Sequence, residues 1–146
     1  MLILKKNCLL ATIMLAMGFG CEKPESDFDV AQLNGKCFRG TLIAGQRCSS
    51  VVYAQVLGFG ANNKSVYLGQ EYSNVIRIEN YGNFPDSVKG EKDFYFVVDT
   101  ETKGCATYAP CQMIVLKSDT PPSNVTVSVC ISHLSAVPCG SGNSGK

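Results

Sequence analysis

The eight cysteines are the feature that most constrains what this chain of 146 residues can fold into. In an oxidising compartment, paired cysteines hold small domains together, whereas in a reducing one they indicate metal or redox chemistry. The compartment therefore decides between these outcomes, and the N-terminal segment indicates it. The cysteines are Cys8, Cys21, Cys37, Cys48, Cys105, Cys111, Cys130 and Cys139.

The first 20 residues have the pattern of an export signal. Lys5 and Lys6 supply positive charge, and residues 8–19 form an uncharged apolar run of 12 residues. This run is shorter than the roughly 20 apolar residues that span a bilayer, and small residues close it at Gly18 and Gly20. We therefore predict that residues 1–20 are a signal peptide and that the rest of the chain is exported.

The end of this segment, Gly18-Phe19-Gly20-Cys21, resembles the lipobox of bacterial lipoproteins. The resemblance implies that Cys21 carries acyl chains and holds the protein at a membrane of the cell envelope. Plain secretion and an uncleaved anchor are the alternatives. Cysteine parity favours lipidation, because loss of Cys8 and use of Cys21 leave six cysteines, an even set for three disulfides.

The exported part predicts one domain with flexible ends. Residues 21–33 begin with an acidic, proline-containing sequence that cannot bury a core, which predicts a lipid-attached tether. Residues 34–139 have the length of a single domain, and the Gly- and Ser-rich residues 140–146 predict a disordered tail. Once Lys5 and Lys6 leave with the signal, 11 Lys and Arg face 12 Asp and Glu. This balance argues against nucleic acid as a partner.

Alternating apolar and polar residues predict strands across the domain. Residues 93–99 and 125–131 show the alternation most clearly, since every second side chain is apolar. Further candidates, rich in Val, Ile, Tyr and Phe, are residues 37–43, 50–57, 66–68, 73–79 and 112–116. Six or seven short strands predict an all-β domain, either a small antiparallel barrel or a β-sandwich.

Two short patterns resemble OB-type barrels. Residues 36–40 would open the first strand and let it coil at Gly40, and the Gly-acid-Lys turn at residues 90–92 would lead into the fourth. The ligand face of such barrels has exposed aromatic rings among basic residues. Core packing and strand propensity account at least as well for the available rings. These rings are Tyr53, Tyr67, Tyr72, Tyr95 and Tyr108.

The pairing of the six remaining cysteines stays open, because six cysteines allow 15 connectivities. Proximity along the chain favours the pairs Cys105–Cys111, Cys130–Cys139 and, by default, Cys37–Cys48. A hairpin turn after the first strand would place the last pair beyond bridging distance. The alternative is Cys37–Cys130, because each lies on the less apolar face of its strand.

No pattern in the exported sequence predicts catalysis, a cofactor or a metal site. His133 is the single histidine, and its place just after a predicted strand is typical of an exposed loop residue. The sequence contains neither CxxC spacing nor a GxSxG or HExxH motif. Asp93, Asp99 and Glu101 are the nearest candidates for a hydrolase dyad, which needs two carboxyls about 5 to 9 Å apart in a cleft.

The sequence therefore predicts a non-enzymatic protein of the bacterial envelope, periplasmic or surface-facing. Its β domain would bind a protein or glycan partner that the sequence does not identify. The alternative is a disulfide-stapled inhibitor of a secreted hydrolase, which would present a loop such as residues 104–111 rigidly. Exposure of residues 108–110 would favour the inhibitor, and burial would argue against it.

Overall fold

The structure, a computed structural model, describes residues 28–111 and 116–140. The strands in these ranges are β1 (Cys37–Gly45), β2 (Val52–Val56), β3 (Lys64–Tyr67), β4 (Gln70–Ser73), β5 (Val75–Ile78), β6 (Asp93–Asp99) and β7 (Ser128–Ser135). Short 3-10 helices occupy Val30–Leu33, Tyr81–Asn83, Asp86–Val88 and Lys117–Asp119. None of the helices in the described ranges is long and apolar enough to cross a membrane.

Five of the strands close into a barrel in the order β1-β2-β5-β7-β6, and β6 pairs back onto β1. Strands β3 and β4 form a separate hairpin. The predicted all-β class with three disulfides is confirmed, and the architecture is the barrel. One pairing departs from the antiparallel expectation, because β5 and β7 run parallel through Arg77 and Ser128. Parallel neighbours need a long crossover, which residues 79–127 supply.

The predicted alternation fills the barrel interior. Along β6, Phe94, Phe96 and Val98 are buried while the residues between them face outward. Gly40 on β1 allows this packing, because a Cβ there would lie 2.8 Å from Cζ of Phe94. The other strands add Val52, Ala54, Val56, Ile76, Ile78, Val129, Ile131 and Leu134 to the same core.

A second apolar cluster covers the outer face of β2 and β5. Tyr53 and Val75 point out of the barrel and are nevertheless buried, at 7% and 0% exposure. Partly buried residues close over them from β1, from the β3–β4 hairpin and from the β6–β7 connection, namely Ile43, Tyr67, Tyr72, Ala106 and Val125. The apolar side chains on this face of the barrel are therefore shielded from solvent.

The β3–β4 hairpin is the element that sequence periodicity resolved least well. Its turn places Leu68 and Gly69 in the left-handed region, with φ of 50° and 84°. Tight hairpins use this conformation, but Asn or Asp before Gly is its usual sequence signal. Because Leu precedes Gly here, the sequence does not indicate the turn. Of the predicted strand 112–116, residues 112–115 lie outside the described residues, and Leu116 is not in a strand.

Residues 28–33, which the sequence assigned to the tether, pack against the barrel. The rings of Phe28 and Phe59 are 5.7 Å apart, and Val30 and Leu33 contact the same core. Asp29 caps the first 3-10 helix, because its side chain accepts a hydrogen bond from the N–H of Ala31 at 2.9 Å. The packed unit therefore reaches back to Phe28. Residues 1–27, with the predicted signal and Cys21, and residues 141–146 lie outside the described residues.

The six cysteines of the described residues form three disulfides in a pairing that the sequence did not favour. The pairs are Cys37–Cys139, Cys48–Cys111 and Cys105–Cys130, with Cα–Cα distances of 6.2, 5.8 and 6.2 Å.

The pairs Cys105–Cys111, Cys130–Cys139 and Cys37–Cys48 are wrong, as is the alternative Cys37–Cys130. They followed proximity in the chain or strand face, whereas barrel closure brings the start of β1 to the segment after β7. Closure also brings the β6–β7 connection to β7 and to the β1–β2 connection. Three disulfides are compatible with an exported, oxidising compartment.

Candidate binding surface

Residues 104–111, which we call the stapled loop, cross the outer side of the barrel after β6. Cys105 is bonded to β7 and Cys111 to the β1–β2 connection, so a disulfide holds the loop near each end. Between them, Tyr108 is 63% exposed. Residues 108–110 are therefore presented to solvent and not buried.

The main chain of the stapled loop pairs with the β1–β2 connection. The N–H of Ser50 donates to the carbonyl of Thr107 at 2.9 Å, and the N–H of Ala109 donates to the carbonyl of Cys48 at 2.7 Å. These two bonds flank a single antiparallel bridge centred on Tyr108. In such a non-hydrogen-bonded pair the central residue's own N–H and C=O point away from the partner strand. Both groups of Tyr108 therefore face away from the β1–β2 connection.

Side chains beneath the stapled loop fix its conformation. Oδ1 of Asn83 accepts from Oγ1 of Thr107 at 2.6 Å, and Nδ2 of Asn83 donates to the carbonyl of Cys105 at 3.5 Å. Oγ of Ser50 accepts from the N–H of Thr107 at 2.8 Å. The loop is therefore held in one conformation by contacts within the protein itself.

Arg77 on β5 connects the stapled loop to a carboxylate that is nearly buried. Its Nη2 donates to Oη of Tyr108 at 3.0 Å, and its Nη1 donates to Oε1 of Glu79 at 3.0 Å. The same Oε1 accepts from Oγ of Ser128 at 2.8 Å, and the side chain of Glu79 is 16% exposed. The carboxylate of Glu79 thus holds the side chains of Arg77 and Ser128 in place.

Burial raises the pKa of the neighbouring Tyr53 phenol.

Two concavities border the stapled loop. One, with a volume of about 410 Å³, lies beside Gly104 and is lined by Glu79, Asp99 and Lys103 together with hydroxyl groups. The other, of about 370 Å³, lies beside Tyr108 and Asn83. Both signs of charge line the first concavity. The exposed ring of Tyr108 remains the distinctive feature of this surface.

Three donor atoms beneath the loop have the composition of a metal site. Sγ of Cys105, Sγ of Cys130 and a carboxylate oxygen of Glu79 lie within 4.8 Å of one another. The two sulfurs are bonded to each other, however, and metal sites use thiolates. The carboxylate also accepts hydrogen bonds from Arg77 and Ser128. This cluster therefore supports the loop.

Asp93 and Asp99 are too far apart to form the dyad that a hydrolase needs, and Glu101 donates its N–H to Oδ1 of Asp99 at 3.0 Å. Asp93 and Asp99 occupy the two ends of β6, about 20 Å apart at roughly 3.3 Å per residue. A hydrogen bond from Thr41 lowers the pKa of Asp93, and hydrogen bonds from Thr102 lower that of Asp99. A general acid requires a raised pKa, so neither shift favours that role.

The candidate tyrosines separate into packed rings and one exposed ring. Tyr53 is buried, and Tyr67 and Tyr72 pack over it in the second cluster. Tyr95 is half-buried on β6, whereas Tyr108 is exposed. Packing thus accounts for three of the five rings, and the exposed ring lies on the stapled loop.

His133 is exposed, as predicted, but it lies within β7, opposite Val97. Sequence reasoning identified the loop and missed its supports Ser50, Arg77 and Asn83. These residues are 57, 31 and 24 positions from their loop partners, so no local pattern indicates the contacts.

No family model matches the chain, and neither a curated protein nor a solved structure matches it. Function is therefore inferred from the geometry of the stapled loop and its supports.

Proposed function

We propose that this protein is a non-enzymatic lipoprotein of the bacterial envelope and that its stapled loop binds a protein partner. The observation that carries the proposal is the exposed ring of Tyr108 on a loop held by two disulfides. Tyrosine is enriched among the residues that dominate binding energy at protein interfaces. A loop fixed in advance loses little conformational freedom on binding, so more of its contact energy becomes affinity.

The barrel topology supports a binding role in which the stapled loop, and not the outer face of the strands, contacts the ligand. The order β1-β2-β5-β7-β6 resembles that of OB-type barrels, which bind oligonucleotides or oligosaccharides on the face of the second and third strands and with the loops that join the first to the second strand and the fourth to the fifth. In this protein those strands are β2 and β5, and residues such as Tyr72 and Val125 cover their outer face. The balanced charge also disfavours nucleic acid.

The envelope location rests on the predicted signal and on Cys21. With six cysteines paired, Cys21 is the one left over after the predicted cleavage. Acylation would consume that thiol and anchor the chain. Because Phe28 packs on the barrel, the extended chain from Cys21 spans at most about 24 Å. The barrel would therefore lie close to the membrane surface.

Mass spectrometry of the N-terminal peptide tests the anchor. We expect acyl mass on Cys21 and membrane fractionation of the wild type, and we expect Cys21→Ser to abolish both. An unmodified N-terminal peptide from the wild type would contradict lipidation. Cys48→Ser is the matched control, because it removes a disulfide and leaves the signal intact.

Photocrosslinking tests the binding surface. A photoreactive residue at position 108 should crosslink an envelope protein, whereas the same residue at position 68 should not. Leu68 is the matched control because it is also an exposed apolar residue, at 56%. Excess wild-type protein should compete with the crosslink, and Tyr108→Gly should not. Equal crosslinking at both positions would refute the loop as the binding surface.

A second candidate function is inhibition of a secreted hydrolase. It is favoured by the exposure of residues 108–110 between two disulfides, since inhibitors combine small size with preorganised loops. Such complexes bury an interface of standard size and are among the tightest known.

A further inference from the structure

We propose that the stapled loop lies in the active-site cleft of a serine endopeptidase as a substrate-like strand, with Tyr108 entering a pocket that accepts aromatic side chains. This inference rests on the proposed binding role of the loop and names the class of its partner. It is carried by the direction of the main-chain groups, the exposure of the ring and the position of the disulfides.

The main-chain N–H and C=O groups of Tyr108 point in the direction that an endopeptidase requires of a bound substrate. The oxyanion hole receives the carbonyl of the residue whose side chain fills the specificity pocket. In the stapled loop the N–H and C=O of Tyr108 face away from the β1–β2 connection, with which the bridge is made. The groups that face this connection, the carbonyl of Thr107 and the N–H of Ala109, already have partners in Ser50 and Cys48. The main-chain groups on the side of the connection are therefore satisfied, and those of Tyr108 lie on the opposite side of the loop.

The side chain of Tyr108 is free to enter such a pocket at small cost. Its ring is 63% exposed, and the polar contact that it makes is the hydrogen bond from Arg77. Arg77 keeps its ion pair with Glu79 at 3.0 Å when the ring moves, so no buried charge loses its partner. A hydrophobic slot of the chymotrypsin type accepts this ring, whereas the acidic pocket of trypsin does not.

The disulfides explain why the loop would not be consumed. Attack by the serine oxygen on the carbonyl carbon of Tyr108 forms an acyl ester, breaks the bond to Ala109 and transfers the proton to the new amine. Cys105 holds the acyl side and Cys111 holds the amine side through bonds to the barrel. The amine stays beside the ester at high effective concentration, re-forms the peptide bond and returns the proton to serine.

Inhibition constants of the purified full chain against chymotrypsin and trypsin test this inference, because the two enzymes share their chemistry and differ in the pocket. We expect the wild type to inhibit chymotrypsin and not trypsin. Tyr108→Lys should transfer inhibition to trypsin, and Tyr108→Gly should weaken inhibition of chymotrypsin by at least about 100-fold. Leu68→Lys should change neither constant, and thermal unfolding of each variant verifies its fold.

Each outcome decides the inference. Absence of inhibition by both the wild type and Tyr108→Lys would overturn it, as would rapid and complete digestion of the loop. A competed crosslink from position 108 to a protein other than an endopeptidase would also overturn it, while leaving the binding role intact. Failure of the crosslink itself would instead end the binding role.

Discussion

Replacing Gly40 by alanine should destabilise the barrel through a contact that can be traced atom by atom. Gly40 lies on β1 between β2 and β6, and its side chain would point at the core. The new Cβ would be 2.8 Å from Cζ and 3.0 Å from Cε2 of Phe94. Carbon atoms pack best at about 3.5 to 4.0 Å, so the ring has to retreat by roughly 1 Å.

The ring of Phe94 has little room for that retreat. It is fully buried, and its centroid is 5.0 Å from that of Tyr81 and 5.7 Å from that of Phe96. Overpacking of this kind costs about 1 to 3 kcal/mol, and replacing a strand glycine with alanine returns about 0.5 to 1 kcal/mol. The net loss in the free energy of unfolding is therefore up to about 2.5 kcal/mol, and the loss relative to a strand glycine-to-alanine change without the clash is about 1 to 3 kcal/mol.

Urea unfolding with the disulfides intact measures this loss as a lower midpoint at an unchanged slope. Gly45→Ala is the matched control on the same strand, because its Cβ would meet only Cγ1 of Val52, at an ordinary 3.9 Å. In a double-mutant cycle, Gly40→Ala should cost less in the Phe94→Leu background than in the wild type, because the smaller side chain relieves the clash. Equal stability of the two alanine variants, or strict additivity in the double variant, would refute the reasoning.

Three further predictions concern other parts of the fold. The double variant Cys48→Ser/Cys111→Ser should lower the free energy of unfolding by about 2 to 4 kcal/mol, and unchanged stability in urea would contradict this pairing. Hydrogen bonds, chiefly from Thr41, lower the pKa of Asp93 in the fold, so its carboxylate stabilises the protein above the unfolded pKa of about 3.9. This contribution is lost as the pH falls through the folded pKa, and thermal melting should show a shallower loss below about pH 4 in Asp93→Asn than in the wild type. The amide of Asn63 donates to the C=O and accepts from the N–H of the first residue of β5, both at 2.7 Å. Asn63→Ala should therefore cost about 1 to 3 kcal/mol and speed hydrogen exchange of that N–H, and unchanged exchange would contradict the contact.

Local patterns predicted the strands because a strand records its two faces in its own sequence. Phe94 and Phe96 alternate with outward residues, and the structure buries them accordingly. Gly40 pairs with Phe94 between β1 and β6, and its missing side chain leaves room for that ring. Phe28 was assigned to the tether because its neighbours are acidic, although its ring packs on Phe59.

Cysteine pairing failed because it depends on topology and not on spacing. The pair Cys37–Cys139 spans 102 positions, and Cys48–Cys111 spans 63. Loop-closure entropy rises only slowly with length, so closeness in sequence is weak evidence for a bond.

The covering of the β2–β5 face also explains why the stapled loop is firmly held. Arg77 and Tyr53 occupy the outer positions that a strand-face ligand would contact in an OB-type barrel. In this protein Tyr53 is buried in the second cluster, and Arg77 donates to the hydroxyl of Tyr108. The disulfide from Cys111 keeps the loop over that face. Tyr53 and Arg77 are therefore not available to a ligand on the strand face. They support the rigid loop instead. A ligand for this barrel is expected to contact that loop before it contacts any strand.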